Sequence, residues 1–194
     1  MTRRLSVLAP LLRSETQARL LAALVLRPER EATIAELARE IDADPGNLHA
    51  EVERLVGAGV LADRRVGRTR LLRVADSPLV RPLAELLLLG YGPKLAAERA
   101  LRGVAGVERA FIGGSWAARY RGDNGAFPRD IDVIIVGSPD REEVSEAVVQ
   151  AMRAVGQDAQ VIFRSPTAWQ QARDAFTRTA QAGALVELDL RESA

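Results

Sequence analysis

The chain has 194 residues and a near balance of charge, 27 basic against 26 acidic, for a net charge of +1. At 47% apolar residues it can bury one medium core or two small ones, and any nucleic-acid contact must come from a local patch. It has no cysteine and a single histidine, His49, which excludes disulfides, thiolate metal sites, cysteine nucleophiles and a zinc site built on histidine.

No apolar run approaches the length of a membrane span, and the densest, LAELLLLGYG, is much too short. The start, MTRRLSVLAPLLRSETQ, has an apolar run broken by Pro10 and Arg13 and makes a poor signal peptide. A cytoplasmic protein with no membrane partner is the expectation.

In chain order, Ser14 can cap a helix through SETQARLLAALVL, whose Leu20, Leu21, Leu24 and Leu26 supply a wide apolar face. Thr33 with Glu36 forms a capping-box pattern that opens IAELAREI, with Ile34, Leu37 and Ile41 on one face. DADPG predicts a tight turn, Asp44 serving as N-cap and Pro45 as the first helical residue. Leu48, Val52, Leu55 and Val56 give the third helix its buried stripe, and Gly57 and Gly59 end it.

VLADRRVGRTRLLRV then predicts two short strands around Gly67, with Arg64, Arg65, Arg68, Arg70 and Arg73 inside ten residues. A charge run of this kind is usually only a solvated face. A helix-turn-helix followed directly by a basic hairpin, however, is the element order of a winged helix, whose third helix enters the major groove while the wing touches phosphates. The stretch from Thr33 to Val74, especially its step RLVGAGVL, resembles winged-helix regulators of the arsenical-repressor (ArsR-like) type.

That resemblance covers about the first 75 residues and implies a double-stranded DNA partner. It puts Pro45, Gly46, Asn47, His49 and Ala50 at groove-facing positions and Arg64, Arg65, Arg68 and Arg70 on the wing. Asn47 is suited to a bidentate contact with adenine. His49 is either a phosphate or base contact or without a role. Glu51 and Glu53 depart from a strong reader, since phosphates would repel them, and the family's metal-sensing sites do not carry over without cysteine.

DSPLVRPLAELLLLGYGPKLAAERALRG joins the halves, and its leucines exceed one buried stripe. Such a helix is either sandwiched between domains or shared with a second subunit. The resemblance implies the latter, a homodimer. Gly92 and Pro93 separate it from a second helix.

Beyond residue 106 the rhythm alternates: VERAFIGG a strand, SWAARY a helix, DIDVIIVG a strand, PDREEVSEAVVQAMRAVG a helix, DAQVIF a strand, SPTAWQQARDAF a helix and ALVELDL a last strand. The expected architecture is thus two-domain, α+β or α/β: a winged helix over 1–76, a helical linker over 77–103, and a small mixed sheet with helices over 104–194.

Gly114 allows a sharp turn off its strand, and Ser115 then opens a helix where free amides suit phosphate oxygens. Asp130 and Asp132, two apart on a strand, place both carboxylates on one face, opposite Ile131 and Val133. Adjacent carboxylates repel unless a cation lies between them, and Mg²⁺ favours such oxygens. Glycine-serine, a connection, then Asp-x-Asp is a layout for two-metal phosphoryl chemistry.

From Val107 to about Phe163 this pattern resembles the polymerase-β-type nucleotidyltransferases, particularly the minimal ones. The resemblance implies that Gly114 and Ser115 hold a nucleoside triphosphate and that Asp130 and Asp132 bind Mg²⁺ or Mn²⁺ as catalytic carboxylates. Arg119, Arg121 and Arg129 surround the expected phosphate site. Trp116 and Tyr120 follow at helical spacing, for core packing or base stacking. Active members carry a third acid on the next strand, where this chain has Ala159 or Gln160. Asp158 is either its substitute in a shifted register or a strand cap.

The two halves together resemble prokaryotic fusions described as regulators. The reading is a DNA-binding transcriptional regulator whose second domain either transfers a nucleotidyl group or senses the nucleotide. The alternative is an antitoxin that modifies a partner toxin and autoregulates its operon.

Overall fold

The computed structural model describes residues 11–123, 125, 127–128 and 130–191. The chain divides into two compact units, Met1–Gly92 and Pro93–Ala194. The expected linker is shared between them: its first helix belongs to unit 1 and its second to unit 2.

Unit 1 is built on α1 (Glu15–Val25), α2 (Ile34–Ile41) and α3 (Pro45–Gly57), then β1 (Leu61–Val66), β2 (Thr69–Val74) and α4 (Val80–Tyr91). Side-chain caps start the first three helices. Ser14 accepts from the Gln17 amide at 3.1 Å. Thr33 and Glu36 form the reciprocal capping box, in which the Thr33 amide donates to the Glu36 carboxylate at 2.7 Å. Asp44 accepts from the Asn47 amide at 3.0 Å, ahead of Pro45. Each cap satisfies an amide the helix itself leaves open.

Leu20 and Leu24 of α1, Leu37 of α2, Leu48 and Val52 of α3 and Leu72 of β2 are all fully buried and form the core. β1 and β2 pair antiparallel from Leu61↔Val74 to Val66↔Thr69. Gly67 takes the positive φ of +59° that their tight turn requires. Ala32 adds a single bridge to Leu72, tying the hairpin's base to the α1–α2 connection. α4 lies on α1 through Ala84, Leu87 and Leu88, while Leu89 is 66% exposed.

Unit 2 holds α5 (Pro93–Leu101), β3 (Val107–Gly113), α6 (Gly114–Tyr120), β4 (Asp130–Gly137), α7 (Arg141–Ala154), β5 (Asp158–Arg164), α8 (Pro166–Gln171), α9 (Ala175–Ala182) and β6 (Leu185–Glu187). The sheet order is β5-β4-β3-β6. β3 runs antiparallel to β4 and β6, whereas β4 and β5 are parallel through the crossover helix α7. On one face Phe111, Ile134 and Val136 pack with Trp169 of α8, whose ring stacks on Phe111 at 5.0 Å.

One helix was expected over 165–176, and two are present. Ala172 adopts a left-handed φ of 47° that ends α8, and Asp174 caps α9 by accepting from the Thr177 amide at 2.9 Å. Arg164 holds this corner by donating to Thr177 and Asp174. Those bonds pull the Asp174 carboxyl down to about 2, with the Thr177 hydroxyl the largest contributor.

Candidate functional site

In unit 1, Leu48, Val52 and Leu55 turn one side of α3 inward. The opposite side leaves Pro45, Gly46, Asn47, His49 and Ala50 exposed, as expected. Glu51 differs from expectation. It is 5% exposed, because it shares the inward face with Leu48 and Leu55, and it is ion-paired with Arg54. Glu51 is therefore no phosphate-repelling surface charge. Glu53 does remain exposed, 3.9 Å from His49 Nδ1.

Arg70 of the hairpin donates to Glu53, and its Nε donates to Asp63 at 2.8 Å. Arg64 grips Glu31 with two nitrogens, Nε at 2.7 Å. The Arg64 bond holds the Glu31 carboxyl below its ordinary range, and the Arg70 bond does the same for Glu53. The same bonds raise both guanidiniums. Arg65 and Arg68 are exposed and have no ion pair among the described residues. No sequence pattern marks this division of the arginines, because Glu31 and Glu53 are distant along the chain.

In unit 2 the second site lies on the same sheet face as Phe111, Ile134 and Val136, at its far end. Alternation puts Asp130 and Asp132 on that face, with Ile131 and Val133 fully buried on the other. Asp132 pairs with Gly113, whose missing side chain leaves room beside it. Gly114 follows at φ +63°, and a Cβ there would lie 3.2 Å from Asp132 Oδ2. Ser115 is exposed next to it. The Asp132 carboxyl is raised above its ordinary value, first by burial and then by the neighbouring charge of Asp130.

The parallel register sets Asp158 beside Asp130 and Gln160 beside Asp132. Among the described residues, no group of three or more His, Asp or Glu side chains is arranged to hold a metal ion. Two carboxylates are therefore the donor set that the geometry offers, with Asp158 and Gln160 as lateral neighbours.

The surrounding residues are used for packing. Trp116 is 1% exposed, tilted against Tyr120 at 6.3 Å and Phe127 at 5.9 Å, which leaves it no free face for stacking. The Tyr120 hydroxyl accepts from the Lys94 amide at 2.9 Å, and burial raises its pKa. Arg119 lies over the Phe127 ring at 3.4 Å and donates to the Gly125 carbonyl at 2.5 Å. Arg121 donates to the Leu185 carbonyl at 2.7 Å. Arg129 lies outside the described residues.

Three helices, a basic hairpin and an outward-facing third helix define unit 1 as a winged helix-turn-helix. Among solved structures the N-terminal part is similar to reduced HlyU from Vibrio cholerae, at 21% identity and a TM-score of 0.34, over 39% of this chain and 75% of that one. It is similar to the adhesin competence repressor AdcR from Streptococcus pyogenes at 19% identity and a TM-score of 0.33, over 38% and 54%. Wild-type ZitR from Lactococcus lactis, solved in complex with DNA, matches at 18% identity and a TM-score of 0.36, over 45% and 59%. The chain thus spans little more than half the length of the last two proteins. No family model matches the sequence, and no curated protein does. No helix among the described residues is long and apolar enough to cross a membrane.

Proposed function

We propose that this protein is a DNA-binding regulator whose second unit binds a nucleoside triphosphate together with Mg²⁺ or Mn²⁺. The observation that carries the first half is the outer face of α3: Pro45, Asn47 and His49 are exposed beside a hairpin whose Arg65 and Arg68 make no ion pair among the described residues. In this reading Asn47 would read base edges and the hairpin would touch phosphates. The exposed Leu89 and half-buried Leu86 of α4 support self-association as a homodimer. Selecting bound duplexes from a random library tests the reading, and recovery of no enriched sequence would refute base readout.

The second half rests on Asp130 and Asp132. They are like charges on one face, one of them partly withdrawn from water, with no ion pair among the described residues. A divalent cation would relieve that repulsion, and the bare glycine at 114 keeps the carboxylate accessible to it. Gly114 and Ser115 would hold the triphosphate, and the bound ion would bridge phosphate and carboxylate oxygens. This is the constellation of residues that resembles the nucleotidyltransferases.

Of the two uses of such a site, sensing has the better support. Gln160, an amide, stands in register with Asp132 where an active member would place a carboxylate. Asp158, beside Asp130, is the residue through which transfer chemistry would have to run. Calorimetry with the four ribonucleoside triphosphates tests binding, and no heat with any of them in Mg²⁺ would refute it. Asp158→Asn separates the uses: a sensor keeps nucleotide-dependent DNA affinity, and an enzyme loses turnover.

A further inference from the structure

The hairpin's two faces carry different partners. Antiparallel pairing puts Asp63, Arg65 and Arg70 on the face that continues from buried Leu61, Leu72 and Val74, and it puts Arg64 and Arg73 on the other. The first face meets α3, where Arg70 sits between Glu53 and Asp63. Arg65 is directly opposite Arg70, on the same face, and makes no ion pair among the described residues. Arg68 is in the turn.

Resting on the DNA-binding reading, we propose that Arg70 is a charge-neutralising residue and not a phosphate contact, and that Arg65 and Arg68 carry the wing's phosphate contacts. The physical reason is the pair of acids. Glu53 stands on the exposed side of α3, four residues after His49, so it faces the same way as the base-reading positions. If Arg70 left Glu53 and Asp63 for a phosphate, two carboxylates would be uncovered beside the DNA backbone. Keeping Arg70 between them lets an otherwise repulsive recognition helix approach. Arg64 is absorbed by Glu31 in the same way on the outer face. Of the five arginines within ten residues, Arg64 and Arg70 are held by acids and Arg73 lies toward the hairpin's base opposite Ala62, which leaves Arg65 and Arg68 for phosphates near the tip.

The two roles for Arg70 differ in what rescues its loss. The full chain is titrated with a fluorescein-labelled duplex of mixed sequence across a salt series, with circular dichroism confirming that each variant folds. Each lost phosphate contact lowers the slope of log affinity against log salt by about 0.9, so Arg65→Ala with Arg68→Ala should lower it by about 1.8. Arg70→Ala alone should weaken binding. Adding Glu53→Gln and Asp63→Asn to Arg70→Ala should restore wild-type affinity and slope. A triple variant that stays weak, with its slope still down by about 0.9, overturns the proposal and makes Arg70 a contact. A wild type that binds no duplex even at low salt refutes DNA binding itself, and this proposal with it.

Discussion

Replacing Gly114 by alanine tests the second site through a single methyl group. The perturbation has two parts. At φ +63° an L residue pays about 1–2 kcal/mol, partly offset by the 0.4–1 kcal/mol that alanine gains by stiffening the unfolded chain. The new Cβ would also stand 3.2 Å from Asp132 Oδ2, which is tighter than ordinary contact, so the carboxylate must move. Gly103 provides the control: its φ is +74° with nothing within 4 Å, so alanine there brings the strain without the crowding. Both tryptophans, Trp116 and Trp169, are in unit 2, and their fluorescence reports its unfolding alone. Each variant should lose about 1 kcal/mol, which at a urea dependence of about 1–3 kcal/mol/M lowers the midpoint by about 0.3–1 M. Only Gly114→Ala should also weaken Mg²⁺-dependent triphosphate binding in calorimetry. If it binds as tightly as Gly103→Ala, the placement of Asp132 against Gly114 has no part in a nucleotide site.

Asp132→Asn should abolish cation-dependent nucleotide binding yet stabilise the free protein near neutral pH. A raised carboxyl means that the folded state holds the proton more tightly than the unfolded chain, so its contribution is complete at low pH and is lost as pH rises through the raised value. Urea midpoints of the two proteins should therefore converge below the ordinary carboxylate range, and a less stable Asn variant at neutral pH would contradict the assignment. On α4, Leu89→Glu should leave unit 1 folded and shift sedimentation towards the monomer. Leu87→Glu, at a fully buried position, should unfold unit 1 at a cost above about 3 kcal/mol. A wild type that sediments as a monomer removes the dimer. Asn47→Ala should cost about 1–3 kcal/mol at sites carrying the preferred base and little elsewhere, and an equal loss on all duplexes would exclude base reading.

Much of this was legible in the residues because it is local. The Ser14, Thr33 and Asp44 caps, the turn at Gly67, the break at Gly92 and Pro93 and the strand carrying Asp130 and Asp132 each depend on neighbours within a few positions. The division of the 165–182 stretch into two helices was not legible, because it turns on Ala172 in a left-handed conformation, which alanine does not advertise. The buried stripe of α3 followed from helical period, but the inward turn of Glu51 did not, since a carboxylate on an apolar stripe reads as solvated until its Arg54 partner is seen.

By itself, then, the sequence determined periodicity, capping and the one-sided placement of two aspartates, all consequences of backbone geometry over short spans. Only the tertiary structure decided which charges are spent. Pairing of β1 with β2, and of the hairpin with α3 and the α1–α2 connection, brought Arg70 to Glu53 and Arg64 to Glu31 across 17 and 33 residues. Parallel pairing of β4 with β5 set Gln160, and not an acid, beside Asp132. Ion pairs and strand register join groups far apart in the chain, and a linear pattern carries no measure of that distance.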